Sequence, residues 1–388
     1  VVAEALRCGH QVRAMVRPSP NLEQKLAKLA RIGHDLSRWD STQVPSRQGE
    51  INQDKASQDG FHLDPTSRVE IAVVDLASGD GLDAALQDID AVIHLAALKT
   101  GDYSTQFANT VTATDCLLNA IERAGCSRLV AISSFSVYDY LHQPEGALLD
   151  ESAPLERRAN TRDAYAQTKL KQEELVHDFQ ARSSTAVTVL RPGIIYGAEA
   201  LWPAHLGIKL TDTLFLQIGT DARLPLTYVE NCAEAVVKAL DSDGAIGQVI
   251  NVTDNDCPTQ QEFIDCLRRL RKQFMTIQHS LPTTFTVSWK TMRYIARGIW
   301  TINCLLGQRL PLPGVFVPAR LHARFKPLDY SNYSAQSLLH WSPRYTMPEA
   351  ITRSLLDCDR HPFSDKRLSR APSISSRPTP RPVSITAS

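Results

Sequence analysis

The chain has 388 residues, Lys+Arg and Asp+Glu each number 42, and the formal net charge is zero. Such a length suits one large α/β core with a smaller attached lobe and excludes a small disulfide-stapled scaffold. Balanced charge excludes a global field that would recruit nucleic acid or an anionic membrane, so a small-molecule substrate in a buried site is the default partner.

The eight cysteines are scattered without a CxxC pair, several inside apolar runs such as TDCLLNAIERAGC, which reads as reduced thiols in a cytoplasmic protein. None of the eleven histidines stands in an HxxxH or HExxH arrangement, so no metal site is expected.

In chain order, VVAEALRCGHQVRAMVRP opens with an apolar helical pattern ending at Gly9 and continues into a β-rich run, QVRAMV; glycine suits a helix C-terminus. The helix is therefore expected to begin before residue 1. From about Pro18 to Arg68 the composition turns polar, with one helical pattern (LEQKLAKLARIG) and a Gln/Ser/Asp-rich stretch without periodicity, read as a surface insertion. Strand and helix patterns then alternate: VEIAVVD, a helix over LDAALQD, AVIHLAA, a helix over TVTATDCLLNAIERAG, RLVAISS, a helix from about Arg162 to Arg182, and AVTVLRP. This alternation predicts a doubly wound, Rossmann-like parallel sheet with its chemistry at the strands' C-terminal ends. Further on, GQVINVT reads as a late strand, TQQEFIDCLRRLRKQF as a helix, and Leu281 to Pro318 as an apolar, aromatic stretch without an uninterrupted membrane-length span. The expected organisation is a dinucleotide-binding domain over residues 1–200, a substrate lobe over 201–361 interleaved with the last sheet elements, and a disordered Ser/Pro/Arg-rich tail over 362–388.

The sharpest constellation is RLVAISSFSVYD followed by AYAQTK. Ser134 ends a predicted buried strand, while Tyr165 and Lys169 stand at i and i+4 of the next helix and so share one face. Hydride transfer at a carbonyl or carbinol carbon requires a proton to move at the oxygen as well. A free tyrosine titrates near about pH 10, so a neighbouring ammonium is wanted to favour the phenolate. Tyr165 is the candidate acid/base, Lys169 its electrostatic tuner and a ribose ligand, and Ser134 the donor that holds the substrate oxygen.

At these residues the chain resembles the extended short-chain dehydrogenase/reductase family, which includes nucleotide-sugar epimerases and dehydratases, the 3β-hydroxysteroid dehydrogenase group and dihydroflavonol-reductase-like enzymes. The resemblance runs to about Leu356, the insertion excluded. It is carried by VVDL (Asp75, Leu76), IHLAA (His94 to Ala97), Asn109, SSFSVYD, YAQTK, RPGIIYG (Arg191 to Gly197), PLTYVENCAEAVVKAL and DYSNYSAQSLLHWSPRYTMPEAI. It implies cofactor contacts from Asp75 and Leu76 beside the adenine, from Leu95, Ala96 and Ala97 at the ribose and nicotinamide, and from Asn109, Ser133, Tyr165, Lys169, Pro192 and Ile194, with Ser136 and Tyr196 toward the substrate. His94 reads as a structural residue at a strand end, and Asp75 by itself reads equally as a cap for the next turn. Asn231 stands where many relatives carry Asp, and Asp139 replaces the usual Gly after VY.

Members of that family begin with a strand and a glycine-rich turn that hold the cofactor's pyrophosphate, and this chain starts inside the helix that should follow. The expectation is a fragment, or mis-started reading, of an active enzyme. At the end of the second strand of such a fold an acidic residue binds the ribose of NAD and a basic one favours the 2′-phosphate of NADP; VRAMVRP places Arg17 there, so NADP is preferred over NAD. In TTFTVSWKTMRYIARGIWTINCLLG, Trp289, Tyr294, Trp300 and Leu305 are interleaved with Lys290, Arg293 and Arg297. This reads as a helix in peripheral contact with a membrane surface or, at least as well, as a lid packed over the pocket. Its apolar weight favours a hydroxyl/ketone oxidoreductase of steroid or flavonol type. A nucleotide-sugar epimerase or dehydratase is the alternative, with Lys209, Arg223 and Arg320 available for a diphosphate. A non-catalytic cofactor-sensing protein is the third reading, against which the intact trio argues. The resemblance also implies a homodimer formed through a helix pair that includes the Tyr/Lys helix.

Overall fold

The computed structural model describes residues 1–18, 61–62, 69–211, 213–274 and 283–360, with short helical stretches at 22–23, 26–27 and 29. The continuous helix expected over LEQKLAKLARIG, most of the polar insertion and the tail from 362 lie outside the described residues. In chain order the elements are α1 (Val2–Arg7), β1 (Val12–Val16), β2 (Phe61–His62), β3 (Val69–Val73), α2 (Leu82–Ala85), β4 (Ala91–His94), α3 (Tyr103–Phe107), α4 (Ala113–Ala124), β5 (Arg128–Ile132), β6 (Leu148–Leu149), α5 (Ala164–Arg182), β7 (Ala186–Pro192), β8 (Ile194–Tyr196), β9 (Gly207–Lys209), β10 (Leu214–Ile218), β11 (Leu226–Tyr228), α6 (Val229–Asp241), β12 (Val249–Val252), α7 (Gln260–Phe274), β13 (Thr283–Val287), α8 (Trp289–Leu305), α9 (Pro318–Phe325), β14 (Asp329–Tyr330), α10 (Tyr333–Leu339) and α11 (Met347–Arg360).

The first helix ends as its sequence requires: Gly9 takes φ +88°, and the N–H groups of Gly9 and His10 close onto the Leu6 and Ala5 carbonyls, each at 3.1 Å, a pairing that satisfies the last helical acceptors. β1 pairs parallel with β3, and β2 joins the other edge of β3 antiparallel. That short pairing falls within the stretch read as an aperiodic insertion; two residues carry no period by which sequence could announce them.

The main sheet is all parallel in the order β4-β5-β7-β12. Its strands are near-continuous apolar runs because both faces are covered. On one face Leu129, Val187 and Val189 pack with Leu117, Leu118 and Ile121 of α4 and Val176 and Phe179 of α5. On the other, Val130, Leu190 and Ile250 pack with Cys232, Ala235 and Val236 of α6 and Ala335 and Leu339 of α10. The chain is thus an α/β protein with a doubly wound, Rossmann-like sheet, as the alternation predicts. β1 and β4 are not hydrogen-bonded to each other, so the sheet is in two parts.

Between α3 and α4, residues Ala108–Thr112 form a π turn that takes in the first residues of the helix expected over TVTATDCLLNAIERAG; such turns re-aim side chains locally. After β7 the backbone passes very close to a neighbour: a Cβ at Gly193 would lie 2.1 Å from the Pro225 carbonyl oxygen, which accepts the Ile194 N–H at 2.6 Å. Glycine is therefore required there. β8 and β11 form a parallel pair, and β9, β10 and β13 form a separate small sheet. The α8 helix packs Trp289, Met292 and Ala296 onto Ile218, Leu321 and Phe325. No described helix is long and apolar enough to cross a membrane.

Candidate active site

The start of α5 is set by Asp163, whose carboxylate accepts the Ala166 N–H at 3.0 Å, a strong N-cap. From there the helical period places Tyr165, Lys169, Gln172 and Glu173 along one face. Ser134 leaves β5 in extended conformation and opens a single 3-10 turn, its hydroxyl accepting from the Ser136 N–H at 3.1 Å. The Tyr165 phenol meets this hydroxyl: burial pushes the phenol's pKa up, and the hydrogen bond with Ser134 pulls it back. Ser134 and Tyr165 therefore meet at the end of β5, one helical turn from Lys169.

Lys169 is 2% exposed and donates to the Ile132 carbonyl and to Gln172 Oε1, each at 2.7 Å. Burial, and then the charge of Lys99, lower its pKa to about 7, with Glu173 opposing. The Lys99 ammonium stands 5.7 Å from the centroid of the Tyr165 ring. Two of the three Lys169 donors are thus turned to β5 and Gln172.

Gln172 is itself held from three sides. Its Nε2 donates to Thr114 Oγ1 at 2.8 Å and to the Ala96 carbonyl at 3.3 Å, and lies 3.1 Å from His94 Nε2. His94 Nε2 is 2.8 Å from Thr114 Oγ1. Burial, then the Lys169 charge, depress the His94 pKa to about 3, so the imidazole is neutral and structural. A second buried chain runs beneath: Glu173 takes the Ser133 hydroxyl and pairs with Arg191, Arg191 Nη1 reaches the Tyr138 hydroxyl at 3.0 Å, and that hydroxyl donates to Asn251 Oδ1 at 2.6 Å. Burial opposes the Glu173 charge, but hydrogen bonds from His177, Arg191 and Ser133 outweigh it and hold the carboxyl at about 2.

The remaining expected residues divide. Arg17 and Asn109 bond to each other, which joins the end of β1 to the π turn. Asp75 caps its own turn, accepting the Ala77 N–H at 3.0 Å; Leu76 packs against the main core. Leu95 is exposed, and Ala96 and Ala97 are half-buried beside it. The Ser133 hydroxyl is engaged by Glu173. Pro192 ends β7 opposite Val252, and Ile194 packs with Tyr196 in a different cluster, where the Tyr196 ring lies 5.7 Å from Tyr228 and 6.0 Å from Phe263. No described contact joins Tyr196 to the trio. Sequence reading missed Gln172, Glu173, Thr114 and Lys99. The first two stand three and four residues after Lys169, and projecting the helix would have placed them on its face; Thr114 and Lys99 carry no such signal.

Residues 24–253, more than half of the chain, match the NAD dependent epimerase/dehydratase family. The chain belongs to that family. Among curated relatives, it is 25% identical over 305 residues to a 3beta-hydroxysteroid-dehydrogenase/decarboxylase isoform 1 of Arabidopsis thaliana, covering 75% of this chain and 67% of the relative. It is 27% identical over 306 residues to a 3 beta-hydroxysteroid dehydrogenase/Delta 5-->4-isomerase of Mycobacterium tuberculosis, covering 74% and 78%. In fold it resembles UDP-glucuronic acid 4-epimerase from Bacillus cereus, solved with UDP-glucuronic acid and NAD, at a TM-score of 0.59 and 20% identity over 92% of this chain and 95% of that one. Members of this epimerase/dehydratase family are NAD-dependent enzymes.

The residues present fit the adenosine and nicotinamide-ribose ends of such a cofactor. Arg17, Asp75, Ala96, Ala97 and Ser134 follow the C-terminal ends of β1, β3, β4 and β5, the side of an α/β sheet where dinucleotides bind. The Ser136 hydroxyl is buried without a hydrogen-bond partner, an atom that a bound ligand would satisfy. Among the described residues no glycine-rich turn stands beside these strand ends.

Proposed function

We propose that this chain is an NAD(P)-dependent oxidoreductase acting at a hydroxyl or ketone carbon of a small apolar substrate, steroid- or flavonol-like, through Ser134, Tyr165 and Lys169. The observation that carries the reading is the meeting of the Tyr165 phenol with the Ser134 hydroxyl at the end of β5, one helical turn from a buried Lys169. Ser134 would orient the substrate oxygen, Tyr165 would give or take its proton, and Lys169, held by the Ile132 carbonyl and Gln172, would have one N–H left for the ribose of a bound cofactor. The dinucleotide supplies or accepts the hydride. Arg17 favours NADP, since a guanidinium suits a 2′-phosphate. The reading also keeps residues 201–361 as the lobe over the substrate, a homodimer through a helix pair that includes α5, and a cytoplasmic setting suited to free thiols.

A nucleotide-sugar epimerase or dehydratase is the second reading. Against it, Arg223 is paired with Asp329 at 2.9 Å and Arg320 donates to the Thr161 and Arg162 carbonyls, so these cations already have partners that a diphosphate would have to displace. The deciding experiment offers hydroxysteroids and UDP-sugars in turn, with NAD and NADP, and follows reduced cofactor at 340 nm, the absorbance band of reduced nicotinamides. Net reduction with the steroid, lowered by about a hundredfold or more in Tyr165→Phe, supports the proposal. Sugar interconversion without net cofactor turnover would move the assignment to the second reading.

A further inference from the structure

The overall neutrality of the chain conceals a segregated segment. Residues 283–328 contain no Asp or Glu, while Lys290, Arg293, Arg297, Arg309, Arg320, Arg324 and Lys326 all fall within them. Part of this charge is internal: Arg293 pairs with Glu145, Arg320 binds backbone carbonyls, and Lys326 donates to the Tyr140 and Leu141 carbonyls. Lys290, Arg297 and Arg309 are exposed and make no ion pair among the described residues.

The same surface is apolar where a solvated helix would be polar. The inner face of α8 is occupied by Trp289, Met292 and Ala296, and Trp300 is also turned partly inward. This inward packing onto Ile218, Leu321 and Phe325 accounts for only one side of the helix. On the outer side Tyr294 is 65% exposed and Leu305 82%, with Ile295, Ile302, Leu306 and Leu310 also exposed. Tyr294, Ile302 and Leu305 recur at helical spacing along one stripe, flanked by Lys290 and Arg297. An exposed apolar patch of this kind marks an interaction surface. One rimmed only by cations complements an anionic, planar partner.

We infer that the outer face of α8, continued through Leu310, docks onto an anionic lipid bilayer, with the helix lying in the headgroup plane. A bilayer fits both properties at once: acyl boundary for the tyrosine, isoleucine and leucine side chains, and acidic headgroups for Lys290, Arg297 and Arg309. The inference stands on this surface and does not require the oxidoreductase reading. It has a consequence for that reading, because α8 is tied to both segments around the candidate site. The Trp289 indole donates to Glu145 at 3.0 Å, in the loop after Ser134. A cavity of about 210 Å³, lined in part by Trp300, Leu310 and Leu312, reaches Asn160 and Thr161 just before Tyr165. A docked chain would hold this region beside the membrane, where apolar molecules concentrate.

Flotation of the full chain with phosphatidylcholine vesicles, with and without phosphatidylserine, tests the inference. The expected result is recovery with the phosphatidylserine vesicles, reduced by salt. Partitioning should fall by about fivefold or more in Arg297→Glu and also in Ile302→Glu/Leu305→Glu, with melting unchanged because these side chains are exposed. Failure of the wild type to float, or equal flotation of wild type and variants, would overturn it. Sedimentation without lipid provides the other arm: a dimer that Leu305→Glu converts to monomer would assign the patch to a second copy of the chain and also defeat the proposal.

Discussion

Gln172 decides where the Lys169 ammonium points. Its Oε1 stabilises the charged form, so Gln172→Leu should lower the already depressed Lys169 pKa and move the alkaline limb of kcat down by about one pH unit; Gln172→Glu should move it up. Unchanged limbs in both variants would show that Gln172 does not hold the lysine. Asn231 is explained by its partners in the same way. Its amide donates to Asp254 Oδ1 at 3.0 Å and to the Tyr345 carbonyl at 2.9 Å, and its oxygen accepts the Tyr345 N–H. Burial, partly offset by Asn231 and the Tyr228 N–H, raises the Asp254 pKa to about 7. An aspartate at 231 would set two buried carboxylates against each other. Asn231→Asp is expected to destabilise by about 2–4 kcal/mol at pH 8 and less at pH 5, measured by urea unfolding at both values.

At the scale of elements, the long periodic ones follow from local chemistry: the capped α5, the apolar β5 and β7, and α7 with its one-sided apolar face all stand close to where the pattern places them. Elements without a period do not announce themselves. The two-residue β6 pairs with β14 some 180 residues later, and the π turn at Ala108–Thr112 takes in the first residues of a stretch that reads as ordinary helix. Gly193 shows how tightly one connection is fixed. Gly193→Ala should cost at least about 3 kcal/mol or abolish folded yield, because the Pro225 carbonyl cannot retreat without breaking the β8–β11 pairing. A melting temperature within a degree or two of wild type would show that the backbone there relaxes freely.

For the whole molecule, buried titratable groups set the response to pH. His94 binds its proton in the unfolded state near 6.5 and in the folded state only near 3, so its contribution to stability is lost as pH falls through that window. Asp254 has the opposite sign: its folded pKa of about 7 against 3.8 unfolded means that stability is lost as pH rises through that range. The two largely offset each other between about pH 4 and 6.5. Asp254→Asn should therefore remove the opposing term while His205 and His322, whose pKa values burial depresses to about 3 and about 4, act with His94; stability should fall below pH 6.5 more steeply than in wild type by up to about 1.4 kcal/mol per pH unit, seen as a steeper drop in Tm. Parallel slopes would refute the pairing. The sequence by itself determined the parallel α/β architecture and offered Ser134, Tyr165 and Lys169 as candidates, because periodicity and i, i+4 spacing are local properties of strands and helices. Only the tertiary structure decided which groups are engaged: that Lys169 is pinned to Ile132 and Gln172, that the Ser133 hydroxyl serves Glu173, and that Asn231 steadies Asp254. Those outcomes depend on distances between residues far apart in the chain, and such distances are fixed only when the sheets and helices pack.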